Sequence, residues 1–111
     1  MFYRIQDSSR NIADLLNPAL QVSRSYCTDR ERAGVSVCWS LNDLAGYLAQ
    51  TGLPFDESWT LITLDGERSA DTDEDADLGA LLVHPTEIIS TEPITARLWD
   101  MIEGIWDEME A

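Results

Sequence analysis

The chain has 111 residues, 44% of them hydrophobic, and carries 21 acidic against seven basic residues, for a net charge of −14. This length suits one domain around one core and is too short for two domains of ordinary size, so a single domain over residues 1–111 is expected. A negative charge of this size disfavours approach to nucleic acid and to anionic lipid, so direct binding to DNA, RNA or a membrane is not expected.

The negative charge belongs to the second half of the chain. Residues 1–55 hold five acids and five arginines, whereas residues 56–111 hold 16 acids and two arginines. Such a half steers a basic partner toward itself, for example a protein that itself binds nucleic acid. Solubility alone also explains the charge, and this alternative stays open.

The cellular compartment is predicted from the absence of membrane-spanning and secretory sequence patterns. No stretch of 18 or more apolar residues is present, and the opening "MFYRIQDSSRN" lacks the organisation of a secretory signal. A soluble, cytoplasmic protein is therefore expected. Cys27 and Cys38 are expected to be thiols, because a cytoplasmic chain with its own core needs no disulfide.

The first elements are predicted from short patterns. "FYRI" predicts a strand, and "SSRNIADLLNP" predicts a short helix with a serine cap that ends near Pro18. "QVSRSYCTDRERAG" predicts a loop with one short extended piece, and "GVSVCWS" predicts a strand. A helix then begins at Ser40, which forms an S-x-x-D capping box with Asp43, and Gly52 supplies the stop.

The second half adds strands and a terminal helix. "WTLITL" predicts a strand, and "ALLVH" and "TEIIST" predict two more, separated by Pro85, where the chain is expected to bend. "EPITARLWDMIEGIWDEMEA" predicts an amphipathic helix whose apolar face packs on the sheet, with Trp99 and Trp106 along one border. The order predicts an α+β domain with a mixed or antiparallel sheet of about four to five strands and two to three helices.

The acid run, residues 65–77, holds seven carboxylates. Asp71, Asp73, Asp75 and Asp77 alternate as the ligands of a calcium loop do, but Ala76 and Leu82 stand where such a loop needs glycine and a bidentate glutamate. No metal site is therefore expected. Residues 66–78 are predicted to form a mobile, solvated loop.

Enzymatic signatures are weak. His84 is the only histidine, so with two cysteines the chain cannot assemble a zinc site of four His and Cys ligands. A Cys38–His84 nucleophile pair is conceivable, but both residues lie at or near the ends of apolar strands, where packing usually explains them. No P-loop, dinucleotide fingerprint or G-x-S-x-G motif is present.

The order of "YR" in a first strand, "GVSVCWS" running into a capped helix, and a late "LLVHPTEIIS" resembles the layout of small ADP-ribosyltransferase-type folds. That resemblance implies an NAD-binding site with Arg4 on the first strand, Ser36 or Ser40 in place of the S-T-S strand, and Glu87 as the late glutamate. The chain departs from the family in lacking S-T-S and E-x-E motifs. A transferase, or a degenerate relative that only binds NAD, is the alternative function.

The leading hypothesis is a non-enzymatic inhibitor without a cofactor, which docks on a basic surface of a nucleic-acid-binding protein and so imitates nucleic acid. In size and acidity alone the chain is similar to phage anti-defence proteins of the anti-CRISPR type. An acidic adaptor or antitoxin-like partner is the further alternative. The docking surface is predicted to consist of Asp65, Glu67, Asp71, Asp73, Glu74, Asp75, Asp77, Trp99, Asp100, Glu103, Trp106, Asp107 and Glu110.

Overall fold

The computed structural model describes residues 1–24, 31–51, 55–56, 58–73, 75–94 and 96–110, and of residues 24 and 110 the backbone only. The predictions for Gly52, Cys27, Glu74 and the side chain of Glu110 lie outside this part. Its strands and α-helices are β1 (Phe2–Gln6), β2 (Val22–Arg24), β3 (Glu31–Ala33), β4 (Val35–Cys38), α1 (Leu41–Thr51), β5 (Thr60–Arg68), β6 (Ala80–Pro93) and α2 (Ala96–Glu110).

Four antiparallel strands close into a small barrel in the order β1–β4–β6–β5, and β2 and β3 form a separate two-stranded ribbon. The 14-residue β6 makes this closure possible, because it pairs with β4 over its first residues and with β5 over most of its length. The predicted α+β class and antiparallel sheet are confirmed. The predicted number of strands was too low, since the described residues contain six.

Pro85 lies inside one continuous strand, so the prediction of two strands separated by this proline was wrong. The register between β5 and β6 shifts between Asp65 and Gly66, and Gly66 lies opposite Pro85. A proline has no N–H to give to the ladder, and a bulge removes the need for that bond. The two strands approach so closely that a Cβ atom on Gly66 would lie 2.6 Å from the carbonyl oxygen of His84.

Two early segments also differ from expectation. The predicted short helix that ends near Pro18 is a 3-10 helix, Ile12–Leu16, followed by a second one, Pro18–Leu20, and the caps are Asn11 and Asn17 rather than the predicted serine. The predicted loop after them contains β2 and β3. By contrast, the cap of α1 is confirmed, because the backbone N–H of Asp43 donates to Ser40 Oγ at 3.0 Å.

The apolar side chains form two clusters. One draws on all four barrel strands and on Leu15 of the first 3-10 turn, and it includes Val37, Ile62, Leu64 and Val83. The other lies between the barrel and the two helices, where Leu48 of α1 and Leu98 and Ile102 of α2 meet Ile5 and Leu61. The last helix was predicted to pack on the sheet; its apolar face packs chiefly on α1 and shares this cluster with Ile5 and Leu61 of the barrel. No helix within the described residues is long and apolar enough to cross a membrane.

Candidate functional site

The acid run begins inside the barrel rather than in a loop. Asp65 and Glu67 belong to β5, and the terminal ammonium of Met1 lies 3.1 Å from Asp65 Oδ1. The chain then leaves β5 beside β6, since the N–H of Ser69 donates to the carbonyl of Leu82 at 2.9 Å. The first part of the run, residues 65–69, is thus tied to barrel strands.

Three alternate aspartates of the run bond to the rest of the fold. Asp71 Oδ2 accepts from the N–H of Ala33 at 2.7 Å. Asp73 is only 8% exposed, and its Oδ2 accepts from Ser36 Oγ at 2.7 Å while its Oδ1 accepts from the N–H of Asp75 at 2.9 Å. Asp75 Oδ2 in turn accepts from the hydroxyl of Tyr47 at 3.1 Å.

These bonds divide the acid run into two sets of carboxylates. Asp71, Asp73 and Asp75 use carboxylate oxygens to hold the run against β3, β4 and α1. Burial, followed by the charge of Asp75, raises the pKa of Tyr47, so this phenol stays a donor over the physiological range. Glu67 and Asp77 are exposed and remain available to a partner, whereas half-exposed Asp65 pairs with the terminal ammonium of Met1. The predicted mobility of residues 66–78 stays a prediction.

Replacing Asp73 is expected to lower the free energy of unfolding, whereas replacing Asp77 is not. Replacing Asp73 by Ala leaves the Ser36 hydroxyl and the Asp75 N–H without their acceptor, which should lower the free energy of unfolding by about 1–3 kcal/mol. Asp77→Ala removes the same charge from an exposed position and should change it by less than about 0.5 kcal/mol. Urea unfolding of both variants measures the difference, and equal effects would show that Asp73 is not a structural residue.

The two tryptophans of α2 have different environments. The ring of Trp99 is partly buried and stacks on Phe55, with 4.8 Å between ring centroids and 20° between planes. Trp106 is 40% exposed, and its indole N–H donates to the carbonyl of Ala49 at 3.0 Å. Ala49 lies in the last turn of α1, whose carbonyls have no partner within the helix, so Trp106 satisfies a helix end. Part of the Trp106 ring remains free for a contact.

The acidic face of α2 consists of Asp100, Glu103 and Asp107, which are all exposed. Their spacing of three and four residues places them on one side of the helix, opposite the buried Leu98 and Ile102. No salt bridge between these carboxylates and an arginine is found among the described residues. Arg97, which is exposed one turn before Asp100, is the basic residue of the same helix.

The residues suggested by the transferase resemblance are only partly brought together. Arg4 Nη1 donates to the backbone carbonyl of Ser36 at 3.0 Å, so these two are neighbours. Ser40 caps α1, and Glu87 is exposed on β6 opposite Asp65 of β5. Glu87 does not line the cavities that contain Arg4. Of the residues that the resemblance implies, the structure therefore brings Arg4 and Ser36 together but does not bring Glu87 to them.

Cys38 and His84 do not form a nucleophile pair. Cys38 lies opposite Ala80 at the start of β6, and His84 is four residues farther along that strand, about 13 Å away at the usual strand rise. The Nδ1 atom of His84 lies 3.1 Å from Gln21 Oε1. Burial, followed by the charges of Asp43 and Asp73, raises the pKa of Cys38 to about 12, so this free thiol stays protonated at neutral pH.

No group of three or more His, Cys, Asp or Glu side chains in the described ranges is arranged to hold a metal ion. Comparison of the chain with protein families, with curated proteins and with solved structures gave no match.

Sequence reasoning missed the inward role of Asp73. A short signal was present, because Asp and Asn side chains often accept from the N–H two residues later. The structure repeats this bond at Asp7, Asn11, Asn17, Asp56 and Asp73. The alternating aspartates therefore serve turn formation as well as charge.

Proposed function

We propose that this protein is a non-enzymatic binding protein whose acidic surface docks on a basic surface of a nucleic-acid-binding protein and competes there with nucleic acid. The observation that carries the proposal is the acidic face of α2. Its three carboxylates are exposed, lie on one side of a helix and have no ion-pair partner among the described residues. A cationic surface would therefore meet carboxylates that form no salt bridge with the described residues of the fold.

The spacing of these carboxylates along α2 matches a row of cationic side chains on a partner protein. Asp100 and Asp107 are separated by about 10 Å along the helix axis, with Glu103 between them. Trp106, which is 40% exposed, lies three residues after Glu103 and adjoins this row. Aromatic and apolar anchors beside charged groups are typical of the residues that dominate interface energies. Glu67 and Asp77 are further exposed carboxylates in the acid run, whereas Asp71, Asp73 and Asp75 bond to the rest of the fold.

A salt-dependent capture experiment tests the proposal. The protein is immobilised and exposed to a fraction of cationic proteins, first at about 0.05 M and then at about 0.5 M salt, where contacts between exposed charges are screened. A specific partner is expected to bind at the lower salt concentration and to be released at the higher one. Glu103→Gln with Asp107→Asn is expected to weaken this binding about tenfold, because each charge-assisted contact contributes on the order of 1 kcal/mol.

A matched variant separates position from total charge. Asp7→Asn with Glu92→Gln removes two exposed carboxylates that lie outside α2 and the acid run, so both double variants have the same net charge. The control variant is expected to bind like the unmodified protein. Equal weakening by the two variants would indicate a non-specific charge effect, and no captured partner at either salt concentration would contradict the proposal. Binding that ignores charge altogether would favour the adaptor or antitoxin-like alternative.

A further inference from the structure

The barrel has a gap between β1 and β4. The ladder that joins these strands consists of one residue pair, Tyr3 and Cys38, although β1 pairs with β5 over five residues and β4 pairs with β6 over four. Beyond that pair, a side chain bridges the two strands, since Arg4 Nη1 donates to the carbonyl of Ser36. The gap opens into a cavity of about 830 Å³ between the barrel, the first 3-10 turn and β2.

Arg4 is a partly buried cation that forms no salt bridge with any carboxylate of the described residues. Its Nε atom is fully buried and has no hydrogen-bond partner. Burial, followed by the charge of Arg10, lowers the pKa of Arg4 to about 10, which shows that its surroundings disfavour the charged form. A buried charge is normally paired, and leaving it unpaired costs folding free energy.

A second arginine faces the same cavity. Arg10 lines it together with Arg4, and neither forms an ion pair with a carboxylate in the part of the chain that the structure describes. Two acids also line the cavity, but both oxygens of Asp73 already accept from Ser36 and Asp75, and Asp14 is exposed. Arg4 and Arg10 thus line one cavity, in a chain that has 21 acidic residues.

We propose that this cavity binds a small organic anion, whose phosphate or carboxylate group lies between the guanidinium groups of Arg4 and Arg10. The planar, fork-shaped donors of arginine match both kinds of anionic group. Asn11, Ser23 and Gln6 line the same cavity and offer hydrogen bonds to the body of the ligand. The volume lies within the range of about 300–1,000 Å³ that small-molecule sites usually have.

This site is separate from the docking surface. None of the residues that line the cavity belongs to α2, so a ligand can bind there without occupying the acidic face. Nearly all residues that line the cavity come from the neutral half of the chain, residues 1–55, so the negative charge of the second half does not preclude an anion there. The test of anion binding in the cavity is therefore independent of the test of partner binding on α2.

Calorimetric titration of the full chain with two probes tests the site. Adenosine monophosphate presents a phosphate and citrate presents carboxylates, and at least one of them is expected to bind. Arg10→Gln is expected to weaken that binding about tenfold or more, because a hydrogen bond to a charged group is lost. Arg10 is exposed, so this variant is expected to fold.

Arg97→Gln is the matched control. Arg97 is exposed on α2, and its replacement changes the net charge by the same amount as Arg10→Gln. Binding to this variant is expected to stay within about twofold of the unmodified protein, since distant surface charges are screened. Binding of adenosine monophosphate alone would assign a phosphate ligand, and binding of citrate alone a carboxylate ligand. Failure of both probes at millimolar concentration, or equal weakening by the two variants, would overturn the proposal.

Discussion

Replacing Leu98 by Ala is expected to lower the free energy of unfolding by about 2–5 kcal/mol, the range found for buried leucines. Leu98 is 0% exposed and lies in the cluster between the barrel and the helices, with Leu48 of α1 and Ile102 of α2. The change removes buried apolar surface and leaves a cavity that the surrounding side chains fill only in part. Because α2 carries the acidic face, this variant should also lose partner binding when it unfolds.

Met109→Ala is the control for this prediction. Met109 belongs to the same helix but is 61% exposed, so its truncation is expected to change the free energy of unfolding by less than about 0.5 kcal/mol. Urea or thermal unfolding followed by circular dichroism measures both variants. A loss below about 1 kcal/mol for Leu98→Ala would contradict the packing of α2 described here.

Gly66→Ala is expected to lower the free energy of unfolding by about 1–3 kcal/mol, as overpacking does in tightly packed interiors. The added Cβ would lie 2.6 Å from the carbonyl oxygen of His84 and 3.0 Å from Pro85 Cα. Both atoms belong to the backbone of β6, so neither moves aside as the end of a flexible side chain would. The clash with the added Cβ is relieved only if β5 and β6 separate at the bulge beside Pro85.

Gly104→Ala is the matched control, with an effect of opposite sign. Gly104 lies in α2, is exposed, and a Cβ added to it meets nothing within 4 Å. Alanine has the higher helix propensity, so this variant is expected to raise the free energy of unfolding by about 0.5–1 kcal/mol. Two Gly→Ala changes with the same sign would contradict either the bulge or the exposed position on α2.

Local patterns predicted the elements whose causes are local. The S-x-x-D capping box at Ser40 and the apolar spacing of Leu41, Leu44 and Leu48 predicted α1, and the hydrogen bond from Asp43 to Ser40 Oγ confirms the cap. The apolar face of α2 was likewise predicted from residue spacing, because a period near 3.6 residues depends on the helix itself and on little else.

Features that depend on distant pairing were not predicted. Closure of the barrel requires β1 to pair with β5, about 60 residues away, and no local pattern encodes that partner. The continuity of β6 through Pro85 depends on a bulge that involves Gly66 of another strand. The gap between β1 and β4, and with it the cavity lined by Arg4 and Arg10, follows from the same long-range pairing.

The carboxylates of the acid run have structural environments that their charge does not predict. Its carboxylates look alike in sequence, yet Asp73 is buried with both oxygens bonded while Asp77 is exposed. The difference arises because Ser36 and Tyr47, distant in sequence, meet alternate aspartates of the run. The docking surface is therefore better sought on the acidic face of α2 than on the alternating aspartates.

Displacement by nucleic acid is the most direct measurement of the proposed competition. A partner captured on the immobilised protein at low salt is challenged with excess DNA or RNA at unchanged ionic strength, and the released fraction is measured. If the acidic face occupies the partner's nucleic-acid site, DNA or RNA should release most of the bound partner. Retention of the partner, with nucleic acid joining it in a ternary complex, would contradict the account.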